Sequence, residues 1–163
     1  VPEHDHEFIA PVLLTRGGMT PHKLPLPDEV GGPLREAGVR RIVGTLGGEP
    51  FRSALHRSRD GFSFIALSRD RMRRLGLEAG ALVEVALSAD PDPDHVDLGD
   101  ELAAALDADA EARATWDELT PGTRRALAHT VTSAKLPATR QSRAADLAAR
   151  LRDGTWETLR RRW

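Results

Sequence analysis

The segment Lys135-Leu136-Pro137-Ala138-Thr139-Arg140-Gln141-Ser142-Arg143 gathers residue types suited to holding an anion. Thr139 is placed to cap a helix whose first turn offers free N–H groups, and Lys135 precedes it across a turn at Pro137. Arg140 and Arg143 fall one turn apart on a single helical face. Two guanidinium forks beside free amides can meet a carboxylate or a phosphate. The same spacing equally serves ion pairs to Asp117, Glu118 or Asp146 that lock helices together. Arg52 is a further candidate. It follows Phe51 near a hairpin end, with Gly44 and Thr45 close by, where the mouth of a small barrel would take a ligand.

Other constellations are thinner. His4-Asp5-His6 puts two imidazoles at i and i+2 on one strand face, but no third ligand is near, so no metal is expected. His22, His56, His95 and His129 stand apart, and their spacing supports no Ser-His-Asp arrangement. With neither a nucleophile nor a metal cluster in view, the sequence points to a binding protein with no catalytic residues and no cofactor. Arg52, Lys135, Thr139, Arg140 and Arg143 are the expected ligand contacts. Cysteine is absent from all 163 residues, which excludes disulfides and thiolate metal sites and suits a reducing compartment.

These residues sit on two unlike halves. Up to about Ser88, short apolar alternations are broken by Gly and Pro. Glu7 to Leu14 reads as a strand ending at Arg16-Gly17-Gly18, and Lys23 to Pro27 is held extended by its prolines. Arg40 to Leu46 and Phe51 to Leu55 flank Gly47-Gly48 as a hairpin. Past a turn at Arg59-Asp60-Gly61, Phe62 to Leu67 forms a strand with Phe62, Phe64 and Ala66 on one side. Ser68 caps a short helix that stops at Gly76, and Leu82 to Leu87 is a strand. Strands this short favour a small closed barrel of about six strands, since closure removes exposed edges.

From about Leu98 the pattern turns helical, and Asp90-Pro91-Asp92-Pro93-Asp94 reads as a stiff, acidic, solvated connector. Helices are expected over Leu98 to Leu106, Ala110 to Leu119, Pro121 to about Ser133 with Thr120 as cap, and from the Thr139 cap to Arg152. A last turn carries Trp156. The fold class is therefore α+β: a barrel domain over 1–90, then a helical region over 91–163 that packs on the barrel or is tethered to it.

Bulk properties narrow the partners. A net charge of −2 and only 4% aromatic residues disfavour nucleic acid, even though basic residues outnumber acidic ones from Arg124 to Arg162 and the chain ends in Arg160-Arg161-Arg162. No apolar run approaches the roughly 18 residues that span a bilayer, and no signal peptide is visible in Val1-Pro2-Glu3-His4-Asp5-His6. A cytoplasmic location is expected.

At Leu119-Thr120-Pro121-Gly122-Thr123-Arg124-Arg125 and again at Ser133 to Arg143 the chain resembles the YdeI/OmpD-associated bacteriocin-protection proteins. Their Ala-Lys-x-Pro-x-Thr-Arg-x-x-Arg pattern is met by Lys135, Pro137, Thr139, Arg140 and Arg143 in order, with Trp116 where the family usually has Phe. The first half resembles a small barrel domain of unknown function that often precedes this region. Leu24-Pro25-Leu26-Pro27, Gly44 to Ser53 and Leu75 to Gly80 carry that likeness. Together the two likenesses span about residue 8 to residue 154. Met72 and Ala81 depart from it, standing where the family usually has Arg and Asp. The resemblance implies protection against antimicrobial peptides, with no reaction attached to it. The expected partner is thus an antimicrobial peptide or a small hydrophobic antimicrobial. Leu75 to Val85 also looks like a turn of AbrB-like transcription-factor barrels, which implies a homodimer and leaves a nucleic-acid-binding regulator as the rival reading. A module that binds a protein partner is a further alternative.

Overall fold

The computed structural model describes residues 4–16 and 21–160. The expected strand stop at Gly17-Gly18 and the basic end at Arg161-Arg162 lie outside these residues. Two compact units divide the chain, 1–93 and 94–163, and each is built around its own core.

The first unit runs β1 (His6–Pro11), β2 (Leu13–Leu14), β3 (His22–Pro25), α1 (Asp28–Glu36), β4 (Arg41–Leu46), β5 (Glu49–Ala54), β6 (His56–Arg57), β7 (Ser63–Leu67), α2 (Arg69–Arg74) and β8 (Leu82–Ala89). The hairpin forms where the glycines require it. Leu46 pairs with Glu49 across Gly47 and Gly48, whose φ values of 55° and 84° suit a tight two-residue turn. Alternation fixes the faces: Ile42, Gly44 and Leu46 of β4 and Val83, Val85 and Leu87 of β8 point into the core. Gly44 has a second duty. A Cβ there would lie 1.8 Å from the Ala86 carbonyl oxygen, so β4 and β8 approach as they do only because the side chain is missing.

The strands form two open antiparallel sheets, ordered β1-β8-β4-β5 and β2-β3-β7-β6, and not the closed barrel that short strands suggested. Two bent strands carry the chain from one sheet to the other. At Val12 the N–H turns to the Ala81 carbonyl, and at Leu55 to that of Arg40. Strands β1 and β3 do not pair with each other. Leu26 donates to the Ser63 oxygen at 2.9 Å, extending the β3–β7 ladder. Pro25 ends β3 and Pro27 is the N-cap of α1, and neither has an N–H to offer a further strand.

Phe62, Phe64 and Ala66 share a side as expected, the outer side of their sheet, because Ser63, Ile65 and Leu67 take the inward positions. Helix α1 was not among the expected elements, and Gly31, Gly32 and Pro33 within it are poor helix formers. It forms with Asp28 and Glu29 in its first turn and with Val30 and Leu34 buried against the core, so packing overrides local preference. Ser68 caps α2 as its type suggests, accepting from the Arg71 N–H.

The second unit holds α3 (Gly99–Asp107), α4 (Ala110–Glu118), α5 (Pro121–Thr132), α6 (Pro137–Asp153) and α7 (Glu157–Arg160). Ala144, Leu147, Ala148 and Leu151 of α6 make the i, i+3, i+4, i+7 stripe that meets Leu102, Leu106, Trp116, Leu127 and Val131. Asp109 and Thr120 cap α4 and α5 through the N–H groups of Ala112 and Thr123, at 3.0 and 3.3 Å. Thr139 does not cap. Helix α6 already starts at Pro137, the first helical position that proline favours, so Thr139 sits inside the first turn. Gly154, at φ 74°, closes the helix in the left-handed region. Among the described residues no helix is long and apolar enough to cross a membrane.

Candidate functional site

The arginines of the helical unit do two kinds of work. Arg124 donates from Nε to the Trp116 carbonyl at 3.0 Å and from a terminal nitrogen to that of Asp117, closing the end of α4. Arg140 does the same beyond α5, donating to the Ala134 and Lys135 carbonyls at 3.1 and 3.0 Å. Helix ends leave carbonyls without partners, and a guanidinium fork can satisfy two at once. Arg140 also pairs with Glu101 of α3 at 2.8 Å, with both side chains about three-quarters buried. The Glu101 carboxyl is held below its ordinary value of 4.5 by a hydrogen bond from its own backbone amide and by Arg140. Arg140 is thus engaged on three sides.

Arg143, one turn on, is held differently. Among the described residues a single hydrogen bond, from a terminal nitrogen to the Thr130 carbonyl at 2.9 Å, sets the position of an otherwise exposed side chain. It lines a groove of about 820 Å³ bounded by Ala126, His129 and Thr130 of α5, Ser133 at its C-terminal end, Ser142 and Asp146 of α6, and Leu159 of α7. One edge is fixed by Arg150, which pairs with Asp146 at 3.0 Å and donates to the Thr158 hydroxyl at 2.8 Å. The groove therefore combines apolar Leu159 and Ala126, the hydroxyls of Thr130, Ser133 and Ser142, His129, the Asp146 carboxylate held by Arg150, and the Arg143 guanidinium, which has donors beyond its bond to Thr130. Such a lining suits an apolar chain ending in a carboxylate.

The expected site residues thus part company. Arg140 and Arg143 lie on one helix, yet only Arg143 faces the groove, while Lys135 is exposed in the turn before α6 and Thr139 is half-buried in its first turn. Arg52 belongs to the other unit. Its Nε stands 3.0 Å from Asp90, whose side chain is fully buried and whose second oxygen accepts the Asp92 N–H at 2.9 Å. The acidic connector accordingly begins as an anchored segment, not a wholly solvated one. Sequence reasoning did not single out His129, Thr130 or Ser142 for this groove. The available signal was a second stripe on α5, with Ala126, His129, Thr130 and Ser133 at i, i+3, i+4 and i+7 beside the apolar one.

The first unit has a smaller cluster on the outside of its second sheet. His56 stacks on Phe64 at 5.2 Å, Phe62 tilts against the same ring, and the Lys23 ammonium lies 4.5 Å from its centroid. Burial, then Arg41 and Lys23, lowers the His56 pKa from 6.5. Among the described residues no group of three or more His, Asp or Glu side chains could hold a metal ion.

Fold and site together define an α+β protein in which a two-sheet domain precedes a helical domain that carries a polar-walled groove. Residues 95–154 match the family described as bacteriocin-protection, YdeI or OmpD-associated, and residues 8–87 match a domain of unknown function, DUF1905. The helical region is thus similar to the YdeI/OmpD-associated proteins, and the two-sheet region ahead of it to the DUF1905 domain. No curated protein matches it.

Proposed function

We propose that this protein protects against antimicrobial peptides, or small hydrophobic antimicrobials, by binding them rather than by altering them. The observation that carries the reading is the groove between α5 and α6, which apart from Leu159 is lined by residues of the matched bacteriocin-protection region and combines Arg143 with apolar Ala126 and Leu159. Arg143 receives a carboxylate, such as a peptide's C-terminus, while Leu159 and Ala126 take the apolar side chain next to it. Arg140 supports that arrangement by holding the Ala134 and Lys135 carbonyls in the turn into α6.

The test uses an N-acetylated, Leu- and Ala-rich fluorescent peptide with no charged side chain, made as the free acid and as the amide. The free acid binds, and Arg143→Ala weakens it by roughly tenfold or more, the usual worth of a charge-assisted hydrogen bond. Amidation has the same effect as the substitution. Equal affinity for acid and amide would overturn the assignment of Arg143.

A further inference from the structure

We propose that the outer face of the first sheet, where Ile9 and Leu82 lie exposed near the carboxylates of Glu7 and Glu84, docks a cationic amphipathic peptide. This rests on the peptide-binding reading and adds a second surface with opposite charge preference. The register builds the patch: Glu7 faces Ala86, Ile9 faces Glu84, and Pro11 faces Leu82 across β1 and β8, with Thr45 of β4 opposite Ala86 on the other side. Ile9 is 62% exposed and Leu82 71%. Single exposed apolar residues are ordinary, but here two of them are diagonal neighbours on one face.

Two observations argue for the charge of the partner. Neither Glu7 nor Glu84 has an ion-pair partner among the described residues, and they too are diagonal neighbours across β1 and β8. A hollow of about 510 Å³ bounded by Glu7, Ile9, Thr45, Glu84 and Ala86 has no basic side chain in its lining. Lysine side chains on one edge of an amphipathic peptide would meet both carboxylates while its apolar edge covers Ile9 and Leu82. A second copy of the chain is a poorer occupant. About a twofold axis this patch would meet itself, carboxylates against carboxylates.

The experiment uses the full chain and a fluorescein-labelled peptide of Lys and Leu, patterned as an amphipathic helix and C-terminally amidated, beside its Glu/Leu counterpart. The amide offers nothing to Arg143, so this proposal and the groove assignment can fail separately. The Lys/Leu peptide binds and the Glu/Leu peptide does not. The exposed pair Glu7→Gln and Glu84→Gln costs roughly threefold per charge, about tenfold together, and flattens the salt dependence. Ile9→Ser with Leu82→Ser also weakens binding, and Arg143→Ala leaves it unchanged. Affinity untouched by the Gln pair, or equal binding of the Glu/Leu peptide, would overturn the proposal. So would a concentration-dependent dimer in sedimentation that Leu82→Glu dissolves, which would assign the face to a second copy.

Discussion

Two arginines of one motif, a single helical turn apart, are expected to answer substitution differently. Arg140→Ala strips the Ala134 and Lys135 carbonyls and Glu101 of a shared partner, at a cost of about 1–3 kcal/mol in stability. Arg143→Ala removes one exposed hydrogen bond, costs under about 1 kcal/mol, and acts on ligand binding instead. Acidity separates the roles further. Because the Glu101 carboxyl is depressed in the fold, its contribution is complete above its ordinary value of 4.5 and is lost as pH falls below that toward its folded value. Glu101→Gln therefore lowers the urea midpoint at neutral pH, and its deficit against the parent narrows on acidification below pH 4.5. A deficit constant down to about pH 3 would mean that the charge of Glu101 plays no part in holding Arg140.

At the scale of elements, the sharpest expectation concerns Gly44. Any Cβ must push β8 from β4, because the nearest atom is the Ala86 backbone oxygen and no flexible side chain can yield. Gly44→Ala should lower stability by several kcal/mol, comparable with the larger core defects, and should show first as lost protection of β4 and β8 amides in hydrogen exchange. Wild-type protection in that variant would show that the strands can part cheaply. The position was legible in the sequence only as a glycine within a strand. What could be read was local: the Gly47-Gly48 hairpin, the Ser68 and Thr120 caps, the Gly154 stop and the α6 stripe all follow from short-range chemistry. What could not be read depended on partners distant in sequence. Short strands read the same in an open sheet and in a closed barrel, and only the pairing of strands distant in sequence decides between them. Likewise α1 needs the buried environment of Val30 and Leu34 to outweigh Gly-Gly-Pro. The site followed the same rule. The motif pointed to Arg143, but separating it from Arg140 required knowing that Glu101, 39 residues earlier, would reach across from α3.

For the molecule as a whole, protection by binding and protection by chemistry differ in their arithmetic. A binding protein neutralises about one peptide per site, so the residual antimicrobial activity of a fixed dose should fall in proportion to protein added and vanish near equivalence. Bound peptide should be recovered intact, at its original mass, once the complex is denatured. A thermal-shift series belongs beside this. Peptide raises the melting temperature with concentration, whereas a DNA duplex should not, because the near balance of acidic and basic residues gives no general attraction for phosphates. A shift with duplex that collapses steeply with added salt would instead favour the regulator reading. Loss of antimicrobial activity at far less than one protein per peptide, with fragments or a changed mass, would mean that the protein turns over its ligand, and binding alone would no longer account for what it does.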